Sequence, residues 1–140
     1  MSDEKYIPAK DYMPHRPPMA MVDYIIDTNG GKNLVLAKIR PDNRFLNGDG
    51  ILDRSAVPEL VAQAAAATNT LKNNGKCRPG MLALARDISF LDDIHVDDEL
   101  LISAEDENPL PDWFVLEFTI ECRNTGRICA RGEFSVCLFG

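Results

Sequence analysis

The hydrophobic positions of this 140-residue chain form one long block without a strand period and several blocks of period two. The first block is Ser55 to Leu71, SAVPELVAQAAAATNTL, with Glu59 and Gln63 as its notable polar interruptions near the start. Alanine has the best helix propensity and almost no side chain, so Ala62 and Ala64 to Ala67 allow close approach from nearly every side. The run predicts a helix over about 55–73, ending where Asn73-Asn74-Gly75 can supply a left-handed cap. A helix that is apolar all round belongs inside something. A carboxylate in its first turns must then be solvated by a cavity, paired, or used chemically.

Around this block lie the strand signals. Met19 to Thr28 and Asn33 to Arg40 read as strands joined by Asn29-Gly30-Gly31-Lys32, a hairpin signal. A loop rich in Gly, Asn and Asp covers 41–54. Beyond the helix come Met81 to Phe90, Glu99 to Asp106, Asp112 to Arg123 and Ile128 to Leu138. In the third of these, Phe114, Leu116, Phe118 and Ile120 share one face and Glu117, Thr119 and Glu121 the other. These six strands have connections too short for crossover helices, so they pair mostly antiparallel. The expected class is α+β, a single domain over 1–140. Because one sheet face cannot cover an all-apolar helix, the sheet must wrap around it or a second subunit must close over it. That is the hotdog arrangement, usually completed as a dimer. An ordinary α+β sandwich with an alanine-rich packing helix is the alternative.

Composition narrows the function classes. A net charge of −7 argues against broad nucleic-acid binding, which needs clustered Lys and Arg. No apolar run approaches the roughly 20 residues of a membrane span. The N-terminus MSDEKYIPAKDYM has no signal-peptide core, and the expected location is the cytoplasm. Cys77, Cys122, Cys129 and Cys137 show neither a CxxC pair nor metal-ligand spacing with His15 or His95, which reads as reduced, mostly buried thiols and no metal centre.

Three stretches carry a resemblance. Pro14-His15-Arg16-Pro17-Pro18-Met19-Ala20-Met21-Val22-Asp23, then Glu59-Leu60-Val61-Ala62-Gln63-Ala64-Ala65, then Phe90 followed by Asp98 and Leu100, stand in this order. They resemble the opening, the ExxAQAA helix and the F…GDxL segment of hotdog-fold 3-hydroxyacyl-(acyl carrier protein) dehydratases of fatty-acid synthesis. Asp97 stands where Gly is usual. Arg40 to Leu46 and the PHRPP form are similar to a divergent branch, the dehydratase-like proteins of aryl-polyene and related lipid synthesis. The resemblance implies that Glu59 is catalytic, that the substrate is a thioester of acyl carrier protein or coenzyme A, and that the chain works as a homodimer or pairs with another hotdog subunit. It implies no cofactor.

The chain departs from that family at one point. The family's Gly-His-Phe-Pro element, whose His is the base, is replaced by Phe45-Leu46-Asn47-Gly48-Asp49-Gly50, with no histidine. Dehydration requires a base for the α-proton and an acid for the departing hydroxyl. It also requires donors for the charged thioester oxygen, which the first turn of the helix is expected to supply. Glu59, about one turn inside the helix, can serve as the acid if its site is dry. Gln63, one turn further on the same face, can orient that carboxyl or anchor a loop. Asp49, flanked by Gly48 and Gly50, is the only ionisable group where the missing base would sit, although Gly-Asp-Gly is more often only a turn. His15 reads as a scaffold residue with catalytic rescue as a minor role, and His95 as part of a solvated acidic loop. Lys72, Lys76 and Arg78 suit the helix C-terminus and an acidic carrier. Three functions stay open: a dehydratase, a hotdog thioesterase using a single helical carboxylate, and a non-catalytic subunit of an active dehydratase.

Overall fold

Period-two alternation puts Leu116, Phe118 and Ile120 on one side of a strand, and that side is buried in the computed structural model. The structure describes residues 5–13, 19–27, 34–72, 80–106 and 113–138. Its strands are β1 (Lys5–Pro8), β2 (Tyr24–Asp27), β3 (Leu34–Lys38), β4 (Gly80–Phe90), β5 (Glu99–Asp106), β6 (Trp113–Cys122) and β7 (Ile128–Leu138). Helix α1 (Ala56–Lys72) lies between β3 and β4. The strands form one sheet in the order β1-β2-β3-β5-β6-β7-β4, with every neighbouring pair antiparallel. The fold is the α+β hotdog arrangement.

The sheet has seven strands where the alternation pattern predicts six. The extra one is β1, KYIP, mostly exposed and ending in proline. Its formation rests on pairing with β2 (Lys5 opposite Asp27, Pro8 opposite Tyr24), with no apolar period to announce it. The expected strand Met19 to Thr28 is shorter, because Met19 to Asp23 does not pair as a strand. The hairpin at 29–32 and the cap at 73–75 lie outside the described residues.

The inner face of α1, formed by Ala56, Val57, Leu60, Val61, Ala64 and Ala67, packs in the core with Ile25, Val35, Leu100, Ile102, Phe118, Ile120 and Phe134. Phe118 and Phe134 stack with ring centroids 5.0 Å apart. Each such aliphatic side chain contributes on the order of 1.5–3 kcal/mol when taken from water. The opposite flank is different: Pro58, Glu59, Ala62, Ala65 and Ala66 are only half-buried. One chain therefore covers the inner face of its greasy helix and leaves the outer flank partly bare.

β4 is the terminal strand, and its register on β7 breaks between Arg86 and Ser89. Asp87, inside that break, adopts φ +54°, the left-handed region that a non-glycine residue seldom occupies. Cys122 and Cys129 are buried free thiols and Cys137 is half-buried, while Cys77 lies outside the described residues. Trp113, at the start of β6, is exposed. Among the described residues no helix is long and apolar enough to cross a membrane.

Candidate active site

Gln63 is tied at both ends of its amide. Its side chain is completely buried. Its Oε1 accepts the Met21 N–H at 2.7 Å, and its Nε2 donates to the Met19 carbonyl at 2.8 Å and to Glu59 Oε1 at 3.0 Å. The four-residue spacing of a helix stacks Glu59 and Gln63 on one face, so the amide both anchors the segment before β2 and positions the carboxyl. Met21 N–H can only donate, so Gln63 must present its oxygen there and its NH2 to Glu59. Glu59 Oε1 is thereby an acceptor, and Oε2 is the atom on which a proton can reside. The carboxyl is half-buried, so this chain alone does not provide the dry setting that the apolar sequence predicts.

The loop ahead of the helix is stapled by asparagines. Asn47 Oδ1 accepts the N–H groups of Asp49 (2.9 Å) and Ile51 (3.0 Å), and Asn43 Oδ1 accepts that of Phe45 (2.8 Å). Short bridges join Leu46 to Leu52 and Ile51 to His95. Gly50, at φ +74°, makes the turn that this stapling requires. Asp49 is exposed at its tip, so the structure assigns it a turn and does not bring it into the buried Gln63 network. Gly50 likewise has a backbone role. His15 lies outside the described residues, as do Lys76 and Arg78. The ring of His95 is exposed, with Nδ1 3.8 Å from Asp98 Oδ2.

The helix start is capped from within the chain. Asp53 is its cap: Asp53 Oδ1 accepts the Ser55 N–H at 2.8 Å, and the Asp53 carbonyl accepts the Ala56 N–H at 3.0 Å. The Val57 N–H goes to the Arg54 carbonyl at 3.1 Å, and Pro58 has no N–H. The Ser55 hydroxyl and N–H hold the Asp53 carboxyl below its usual range. The amides of Ser55, Ala56 and Val57 are thus engaged within the chain. The sequence does contain a signal for this, an Asp two residues ahead of Ser55 at the head of the helix.

Two further residues matter to the frame. Asp23 Oδ2 accepts the Lys38 N–H at 2.8 Å while Oδ1 meets Arg40 Nη2 at 2.6 Å, pinning the end of the segment that Gln63 holds. Arg54 lies over Phe90, its guanidinium carbon 4.9 Å from the ring centroid. A shallow open depression there is lined by Leu52, Val57, Phe90 and Ile94 and rimmed by Asp53 and Arg54. Neither Glu59 nor Gln63 lines it. Among the described residues no group of His, Cys, Asp or Glu side chains is arranged to hold a metal ion.

A family model described as ApeP-like, ApeP dehydratase, matches residues 7–138. Among solved structures, the dehydratase heterocomplex ApeI:P from Xenorhabdus doucetiae is similar at 21% identity and a TM-score of 0.81, with 97% of this chain and 93% of that chain covered. Zebra fish thioesterase superfamily member 2 is similar at 16% identity and a TM-score of 0.68, covering 91% and 88%. A hypothetical thioesterase with coenzyme A from Streptococcus pneumoniae TIGR4 is similar at 22% identity and a TM-score of 0.59, covering 79% and 80%. No curated protein matches. The likeness to these structures establishes the shared fold.

Proposed function

Since this chain belongs to the ApeP-like dehydratase family, we propose that it takes part in dehydrating a carrier-linked 3-hydroxyacyl thioester to the 2-enoyl thioester, with Glu59 as the acid. The observation that carries this reading is the Gln63 amide, whose orientation is dictated by Met21 and which holds one oxygen of Glu59. In the reaction a base takes the proton from C2, the released electron pair forms the C2–C3 double bond, and the C3–O bond breaks. The departing hydroxyl receives the Glu59 Oε2 proton and leaves as water. Charge gathers meanwhile on the thioester oxygen and requires donors.

The handle of the substrate is acyl carrier protein or coenzyme A; the coenzyme A in the similar pneumococcal thioesterase supports a thioester of that chemistry. The similar ApeI:P structure is a heterocomplex, which supports a second hotdog subunit as partner here. Hydrolysis is the second reading, favoured by the thioesterases that share the fold and by the absence of histidine from the loop 45–50.

Incubation with a 3-hydroxyacyl thioester, alone and with a second hotdog subunit, separates them. Formation of the 2-enoyl thioester, lost on Glu59→Gln, is the expected result. Release of free thiol in its place establishes hydrolysis.

A further inference from the structure

The loop ahead of α1 contains the run Asn47-Gly48-Asp49-Gly50, in which Asn47, Gly48 and Asp49 are exposed. A backbone nitrogen that follows an asparagine can attack its side-chain carbonyl carbon and close a five-membered succinimide ring. Nucleophile and electrophile are adjacent in one chain, so only their approach is at issue. Glycine, with no Cβ, hinders that approach least. Among the described asparagines only Asn47 precedes a glycine, since Asn43, Asn69 and Asn124 precede Arg44, Thr70 and Thr125.

The fold prepares both reacting groups. The Gly48 N–H has no protein acceptor among the described residues, and a Cβ built on Gly48 meets nothing within 4 Å. Solvent therefore reaches the proton that must leave. The equivalent nitrogen for Asp49, that of Gly50, is tied to the Asn47 carbonyl at 3.1 Å. On the other side, Asn47 Oδ1 accepts the N–H groups of Asp49 (2.9 Å) and Ile51 (3.0 Å). The bond to Asp49 folds the asparagine side chain back over Gly48. Two donors on one carbonyl oxygen withdraw electrons from Cγ and stabilise the charge that gathers on Oδ1 when nitrogen adds. Donors of acyl-transfer sites act in the same way.

We infer that Asn47–Gly48 is a self-modification site, independent of the acyl chemistry at Glu59. The Gly48 nitrogen gives its proton to water and bonds to Asn47 Cγ, the bond from Cγ to the side-chain nitrogen breaks, and ammonia leaves. Water then opens the ring. Attack at Cγ leaves aspartate at position 47, and attack at the backbone carbonyl carbon leaves isoaspartate, with the chain running through Cγ. Either way one water is consumed and one ammonia released. Aspartate keeps an acceptor for Asp49 and Ile51. Isoaspartate lengthens the backbone by one carbon and displaces that acceptor, which releases the turn between Leu46 and Leu52 just ahead of α1.

The purified chain is aged at mildly alkaline pH, folded and in parallel in urea, and sampled by tryptic mapping. Cleavage at Arg44 and Arg54 isolates 45–54, with Asn47 its one asparagine. This peptide is expected to gain about one dalton and to become a substrate for isoaspartyl methylation, at least as fast in the folded chain as in urea. Isoaspartate at Asp49, which forms without a mass change, lags behind. Gly48→Val, verified as folded by circular dichroism, loses the gain. The isoaspartyl form, resolved by ion exchange, unfolds at a lower urea midpoint than fresh chain, and the aspartyl form does not.

A gain slower in the folded chain than in urea overturns the inference, because the asparagine staple then protects the bond. A gain that persists in Gly48→Val overturns the assigned nucleophile and with it the site. Equal midpoints for the isoaspartyl form and fresh chain overturn the release of the turn.

Discussion

Gln63 Oε1 accepts the Met21 N–H at 2.7 Å, and that bond decides which end of the amide faces Glu59. Replacing Gln63 with Met keeps its volume and removes every bond. The buried Met21 N–H is then left without a partner, at about 1–3 kcal/mol, while the carbonyl of the exposed Met19 can turn to water. Gln63→Met is expected to lower the urea midpoint clearly. Glu59→Gln, at a half-exposed position, stays within about 0.5 kcal/mol of the parent, as exposed sites generally do. Paired urea titrations check both. Equal losses in the two variants would contradict this division between an anchoring amide and a chemically employed carboxyl.

Gly132 on β7 lies under the register break of β4. A Cβ added there would sit 2.5 Å from Ile88 Cδ1, 3.0 Å from the Ile88 Cα and 3.1 Å from a Phe118 ring carbon. The side-chain tip can swing aside, but the backbone carbon and the buried ring cannot do so cheaply. Gly132→Ala is expected to destabilise by about 1–3 kcal/mol, the range for overpacking. In an Ile88→Ala background the cost shrinks without vanishing, because the backbone contact persists. A four-variant thermal unfolding cycle measures the difference.

The alanines of α1 divide into two groups with different duties. Ala67 is fully buried against the sheet, so Ala67→Leu is expected to cost about 1–3 kcal/mol in the isolated chain. Ala66 is on the half-bare flank, so Ala66→Leu leaves the isolated chain nearly unchanged and weakens association with a partner seated there. Thermal unfolding reads the first effect, and sedimentation of the co-expressed pair reads the second.

Cys129 gives a pH dependence. Burial first, with nearby Cys122, Asp92 and Asp98, pushes its thiol from 9.0 up to about 11. Between those values the unfolded chain loses the thiol proton while the folded chain keeps it. Stability is therefore undiminished below pH 9 and falls as pH rises toward 11. Cys129→Ala is expected to flatten that part of the profile, measured as urea midpoint against pH. An unchanged alkaline slope would show that this thiol is not the titrating group.

What the residue pattern reveals depends on whether a feature is written in apolar spacing or in polar satisfaction. The helix, the later strands and the Glu59–Gln63 stack follow from periods of two and 3.6, and all are present. β1 is not readable that way, because its partner β2 makes it a strand. The helix start is a mixed case. Free donors are the general property of such a terminus, but Asp53 and the Arg54 carbonyl take up those of Ser55, Ala56 and Val57, a local competition that propensity does not reveal. Asn47 is of the same kind, one amide oxygen organising a whole turn.

The last strand in the sheet order has a cellular consequence. Among the described residues β4 runs for 11 residues with β7 on one side only, and its register slips between Leu82 and Leu84 and again between Arg86 and Ser89. Between those two irregularities an orphan copy still offers the unpaired edge at 84–86 to stray strands, the stretch on which misassembly would begin. Synthesis in step with a binding companion is then a matter of proteostasis as well as of chemistry, and an excess of unaccompanied chains is expected to be cleared by chaperones and proteases.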